Sequence, residues 1–236
     1  VDGTLGNASY LGIYMVFHVF IAALLFVRFR ANWQRVLIGI VALMDLVVLY
    51  YTATRGAILG LIGGAFITFV FLALKSEKGD RIKKIASVGL LGLVIFAGLF
   101  FALKNTSFVK TNSVLSRFSS LSLSEIKTQG RYFVWPMAWK GFIEKPILGW
   151  GQEGFNFVFN KYYDPRMYNQ ELWFDRAHST PLDWLIAGGA LGFLSYASIF
   201  FALLFYIFKS KNENLSKNEK AIILGLISAY IFNNLF

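Results

Sequence analysis

The sequence predicts an all-α, polytopic transmembrane helical bundle with a large loop containing short helices, and three observations predict it. Hydrophobic residues make up 56% of the chain and charged residues 15%, against roughly 45–50% and 25% in ordinary soluble domains. The apolar residues come in blocks about as long as a bilayer is thick, not in the short periodic stripes of a soluble core. Every second connection between blocks is rich in Lys and Arg, the pattern the positive-inside rule gives a chain that crosses a membrane back and forth.

Taken in order, spans are expected near Ala8 to Val27, Val36 to Tyr51, Ala57 to Leu74, Ile85 to Leu103, Pro181 to Phe208 and Ala221 to Phe236. Arg28, Arg30 and Arg35 follow the first span. Lys75, Lys78, Arg81, Lys83 and Lys84 follow the third, and Lys209, Lys211, Lys217 and Lys220 the fifth. These connections are expected in the cytoplasm. The same parity puts the turn Thr52 to Gly56 and the long loop 104–180 on the extracytoplasmic side, with the cytoplasmic (inner) membrane as the location. That loop is also basic, but loops beyond about 60 residues translocate largely regardless of charge. Its Lys and Arg either face anionic headgroups or bind an anionic substrate.

The chain starts at Val1 without the basic, apolar, small-residue order of a signal peptide, and its last apolar block is short for a span. Residues 1–236 therefore read as a single membrane domain cut from a longer protein at both ends. Cysteine is absent, which leaves no disulfide framework and no thiolate metal site. Gly56, Gly60 and Gly64 lie four apart, and Gly188 to Gly192 repeats the spacing, which predicts close helix contacts inside the membrane.

Ionisable residues in or at the edge of a span are candidates for function because they are costly there. Arg55 stands where the second span turns into the third. Its guanidinium either snorkels to headgroups or offers a donor fork to phosphate oxygens. Asp45 lies roughly 15 Å earlier on a continuous helix, too far for a direct pair with Arg55, and reads as a buried helix-to-helix contact. Of the two histidines, His18 is mid-span and reads as a neutral imidazole with one hydrogen-bond partner. His178 precedes Ser179, Thr180, Pro181, Leu182 and Asp183, where Thr180 fits a helix N-cap, Pro181 the first helical position and Asp183 a capping-box acid. This puts His178 at the outer mouth of the fifth span, where an imidazole can act as a general base. Spacing alone leaves that role open.

Within the loop, Gly130, Arg131, Tyr132, Phe133, Val134 and Trp135 lead into a short helix that sets Trp135, Trp139 and Phe142 at helical spacing, as a face for the membrane or the spans. Gly149, Gly151 and Gly154 fit G-x-G-x-x-G by chance. A dinucleotide motif needs a preceding strand, so these glycines predict a turn.

Three motifs in order carry a resemblance: Thr54, Arg55, Gly56 and Ala57 opening a span; Gly130, Arg131 and Trp135, then Pro146, Ile147, Leu148, Gly149, Trp150 and Gly151; and Ala177, His178 and Ser179 before Gly188, Gly189 and Leu191. With this topology the chain resembles the O-antigen ligase and O-antigen polymerase superfamily, which includes bacterial protein O-oligosaccharyltransferases. The resemblance implies a GT-C-like membrane glycosyltransferase that moves a glycan from undecaprenyl diphosphate to an acceptor hydroxyl at the outer face of the cytoplasmic membrane. It implies no cofactor and no essential metal, and its partners are the lipid-linked donor, a lipid, glycan or protein acceptor, and membrane lipids. Arg55 and Arg131 match the family's diphosphate-binding arginines and His178 its catalytic histidine. Attack opposite the leaving diphosphate implies inversion at the sugar carbon. A polymerase or a protein O-oligosaccharyltransferase is the alternative acceptor class. A transporter or flippase of lipid-linked sugars is the alternative of another kind, and it would show two repeated halves, which the sequence does not contain.

Overall fold

Within lipid, backbone N–H and C=O groups find no water, so an apolar block satisfies them internally as a helix. The computed structural model describes residues 2–119, 130–169, 173–209 and 215–235. Its helices are α1 (Ala8–Arg28), α2 (Asn32–Thr52), α3 (Arg55–Lys75), α4 (Arg81–Leu103), the short α5 (Ser107–Thr111) and α6 (Ser116–Ser119), α7 (Gly130–Glu144), α8 (Phe155–Tyr162), α9 (Thr180–Lys209) and α10 (Lys217–Leu235), with no strand among the described residues. Five of them, α1 to α4 and α9, are long and apolar enough to cross a membrane. The protein is an all-α, multi-pass membrane protein.

The helices outrun their apolar blocks, as α2 begins at Asn32 and α4 at Arg81. Polar and basic residues extend a helix already formed, and long side chains snorkel from it. Asn7 and Asp80 cap α1 and α4 by accepting the N–H of Ser9 and Ile82. The expected sixth span is α10, which is not among the five. Lys217, Glu219 and Lys220 in its first turn and Asn233 and Asn234 near its end dilute its hydrophobicity. Lys211 and Phe236 lie outside the described residues.

The chain divides into two compact units, one of residues 1–119 and 209–234 and one of residues 120–208. In the first, α1 packs on α2 and α3, and α3 packs on α4. Its core is thin, with Met15, Val16, Phe20, Leu49, Ala57, Ile222 and Ala229 buried together. Close backbone approach supplements side-chain packing. A Cβ on Gly60 would meet the Ala229 carbonyl, and one on Gly64 the Gly225 carbonyl, so the small residues of α3 seat α10. Arg28 reaches Glu219 at 3.6 Å and Lys217 reaches Asp80 at 3.6 Å, which gathers the three basic connections at one end of this unit. Inside the bundle His18 Nδ1 lies 3.5 Å from Asp45 Oδ1, so the two polar residues read separately from sequence are each other's partner across α1 and α2.

The second unit is built on a different principle. Val134, Met137, Ala138, Phe155, Val158, Phe159, Met167, Phe174, Ala177 and Ile186 form one core drawn from α7, α8, the 165–177 segment and the start of α9. The loop is thus a small helical fold, not a string of short helices lying on a surface. Trp135 and Trp139 are exposed as expected, whereas Phe142 packs against this core.

Candidate functional site

Arg55 is the first residue of α3, after Ala53 in the left-handed region (φ 52°) and Thr54 extended. The turn is tied by the Thr52 hydroxyl, which donates to the Leu49 carbonyl at 2.7 Å and lies 2.9 Å from the Thr54 hydroxyl. Gly12 of α1 packs so closely on Thr54 and Ala57 that no larger residue fits there. The chain after α4 returns to the same turn. Arg117 donates from Nη1 to the Ala53 carbonyl at 3.2 Å, and Tyr50 and Asn112 share hydrogen bonds of 3.0 and 3.1 Å. Sequence reading missed Arg117, because only long-range packing brings it beside Arg55's turn.

In the second unit, Gly130 and Arg131 open α7. The Gly130 backbone sits against the Phe174 ring, where a Cβ would crowd Cζ. Phe174 in turn meets the His178 ring edge-on at 5.6 Å. Buried Phe174 thus lies between the Gly130 backbone at the start of α7 and the His178 ring. Arg131 is half-buried and makes no ion pair among the described residues. Burial lowers its pKa from the ordinary arginine value, a sign that its charge is incompletely solvated.

His178 is exposed and adopts φ 53°. The fifth span begins one residue earlier than expected: α9 starts at Thr180, and the Ser179 carbonyl, in the N-cap place given to Thr180, accepts the Asp183 N–H at 2.8 Å. Asp183 reaches back as a capping acid does, but past the cap, to the Ala177 N–H at 2.7 Å. Trp135 Nε1 donates to the Ala177 carbonyl at 3.1 Å.

The segment Pro146 to Gly151 explains why α9 is placed so. Within α9, Gly189 is non-helical (φ 62°, ψ −158°). The Ala190 and Leu191 N–H groups leave the helix ladder and donate to the Pro146 and Ile147 carbonyls at 2.7 and 3.3 Å. The freed Ile186 and Ala187 carbonyls accept from Trp150 and Gly151 at 2.7 and 3.0 Å. Gly149 and Gly189 both stand at positive φ at this crossing; a Cβ on Gly149 would run into the Ile186 carbonyl and the Gly189 amide, and one on Gly189 into the Ile147 carbonyl. This corrects the expectation that Gly188 and Gly192 mark a close helix contact. A Cβ on Gly188 would meet nothing within 4 Å, and the close approach is at Gly189. The turn expected at Gly149, Gly151 and Gly154 is present and leads into α8.

Clefts open among the described residues of this unit. One of about 260 Å³ lies beside the His178 segment, lined among others by Glu153, Asp175, Arg176, Thr180, Asp183 and Trp184. Another, of about 250 Å³, lies along α7 at Tyr132, Phe133, Lys140, Tyr162, Asp164 and Arg166. At its rim Arg166 holds the Asp164 carboxyl down to about 2 by hydrogen bonding it.

A family model described as O-Antigen ligase matches residues 40–197, more than half of the chain and all three motifs. The chain belongs to the O-antigen ligase family. No curated protein matches it. Membership of the O-antigen ligase family makes this a membrane protein of the glycosyltransferase-like kind that works in polysaccharide synthesis with lipid-linked glycans and acceptors.

Proposed function

We propose that the protein transfers a glycan from undecaprenyl diphosphate to an acceptor hydroxyl at the outer face of the cytoplasmic membrane, with inversion and without a metal. The observation that carries this reading is that one small core supports both the start of α7, where half-buried Arg131 stands, and the segment of exposed His178, beside a cleft of mixed polar and apolar lining. Arg131, and with it Arg55, binds the diphosphate through charge-assisted hydrogen bonds. His178 takes the proton of the acceptor hydroxyl as its oxygen attacks the anomeric carbon. The bond from that carbon to the diphosphate oxygen breaks, and undecaprenyl diphosphate leaves carrying one more negative charge. The arginines stabilise this growing charge, in the role a divalent metal has in other transferases. The acceptor reaches His178 through the cleft of Glu153, Asp175, Arg176 and Trp184, whose mix of polar groups and an aromatic face suits a hydroxyl-rich molecule.

The test uses the full-length protein in liposomes with an undecaprenyl-diphosphate-linked oligosaccharide, a crude mixture of lipid acceptors and a chelator. Release of undecaprenyl diphosphate coupled to a glycosylated product of opposite anomeric configuration is the expected result. A product that keeps the donor's configuration refutes single displacement. Donor that binds and crosses the bilayer without being consumed points to a flippase instead.

A further inference from the structure

His178 is one of the non-glycine residues at positive φ, together with Ala53 and Glu153. Non-glycine residues adopt that region uncommonly, histidine more readily than most, and a buried frame on either side of one holds it there. The ring itself is not what is held. Its contact is the edge of Phe174 at 5.6 Å, and among the described residues no side chain hydrogen-bonds the imidazole. The hold is on the backbone to either side. The Asp183 carboxylate accepts the N–H of Ala177 at 2.7 Å and the Asp183 N–H donates to the Ser179 carbonyl at 2.8 Å, while the Trp135 indole N–H donates to the Ala177 carbonyl at 3.1 Å. Ala177 and Ser179 are buried at 0% and 5% exposure, so water does not stand ready to replace these partners.

We infer that Asp183 is a positioning residue for His178, acting through the backbone that flanks it, with Trp135 as its second point of attachment. In a Ser-His-Asp triad the carboxylate orients the histidine ring directly. Here the carboxylate clamps the chain, and the imidazole points where the clamped chain aims it. The crossing of Pro146 to Gly151 with the broken α9 fixes the carboxylate itself, because Asp183 lies one turn before the carbonyls that Trp150 and Gly151 cap. The inference rests on His178 being the general base.

Four variants of the full-length protein in donor-loaded liposomes test it: His178→Ala, Asp183→Leu, Asp183→Asn and Trp135→Phe. Leu keeps the γ-branched shape of Asp183 and removes the acceptor, whereas Asn keeps the volume and one oxygen to accept the Ala177 amide. A displacement of about 1 Å at a reacting group costs about 10²-fold in rate. Asp183→Leu is therefore expected to lower kcat about 10²-fold with donor Kd within about twofold, and Asp183→Asn to recover about tenfold of that loss. A merely structural carboxylate would lower kcat and donor binding together and would not distinguish Asn from Leu. Should Asp183→Leu fail to fold, Asp183→Asn and Trp135→Phe decide: each lowers kcat at constant donor affinity if the clamp matters. Wild-type kcat in both overturns the inference, as does wild-type kcat in Asp183→Leu. His178→Ala separates the two levels. If it transfers at the wild-type rate, the general-base reading falls and this inference with it. If it is inactive while the Asp183 variants are not, only the inference falls.

Discussion

The two units solve the same problem, holding one arginine or histidine steady, with different materials. In the span unit the turn before Arg55 is set by small residues and hydroxyls: Gly12 against Thr54 and Ala57, and the Thr52 and Thr54 side chains. Most large side chains there are exposed, as lipid gives no hydrophobic reason to bury them. In the loop unit the framework is a conventional apolar core of Val158, Phe159, Met167 and Ile186, with backbone hydrogen bonds exchanged between a turn and a broken helix. Membrane packing tolerates large side chains and punishes added volume at glycines. The loop unit should be vulnerable both to lost volume and to a Cβ at its crossing.

The sharpest break in that contrast is Phe159→Ala. Phe159 is 1% exposed at the centre of the loop unit's core, and its truncation is expected to destabilise that unit by about 3–5 kcal/mol. Truncating the lipid-exposed Phe101 of α4 should cost little, since its ring has few protein partners to lose. Thermal unfolding in detergent, followed by far-UV circular dichroism, reads the difference. A Phe101→Ala loss as large as that of Phe159→Ala would contradict the contrast.

Next in size is the pair Gly189→Ala and Gly188→Ala. Gly189 occupies a conformation reserved for glycine and faces the Ile147 carbonyl, so alanine should cost about 3 kcal/mol or more. Gly188 has open space beside it, and alanine there should be neutral or stabilise the helix by up to about 1 kcal/mol. Amide exchange at Ala190 and Leu191 would report loss of the crossing in the first variant only.

The smallest effect is a pH effect at the rim of the loop unit, where Glu144 of α7 takes hydrogen bonds of 2.6 Å from both Lys161 and Tyr162 of α8. Lys161 first and Tyr162 second hold the Glu144 carboxyl below its ordinary value, and Glu144 raises Lys161 above its own. A depressed carboxyl stabilises the fold above its unfolded value and loses that contribution as pH falls through the folded one. The raised lysine contributes below its unfolded value and loses it as pH climbs through the folded one. The link therefore works between the acidic and the lysine ranges. Lys161→Ala should move the Glu144 titration up toward the ordinary carboxylate range, seen by carboxyl NMR, and its stability difference from wild type should vanish in strong acid.

Much of this was legible in advance, and the exceptions share a cause. Block length located α1 to α4 and α9, because it acts locally along the chain. Motif order selected the residues that the family match later enclosed. What sequence did not reveal are pairings between distant segments. His18 and Asp45 read as two separate polar residues, though each is the other's partner. Consecutive glycines in a span fit packing as well as a break, and only the docking of Pro146 to Gly151 decides for the break at Gly189. Asp183 showed as a capping acid from its spacing, but its target, the amide before His178, depends on a left-handed turn at His178 that spacing alone does not predict.

The proposed mechanism divides the labour: the arginines hold the donor's diphosphate and His178 removes the acceptor's proton. Measuring donor affinity and single-turnover transfer side by side for wild type, Arg131→Ala and His178→Ala tests it most directly. The account predicts that His178→Ala binds the lipid-linked donor normally but transfers about 10²–10⁴-fold more slowly, while Arg131→Ala weakens donor binding by about 1.5–3 kcal/mol. Wild-type transfer by His178→Ala, or undiminished donor binding and transfer by Arg131→Ala, would contradict it.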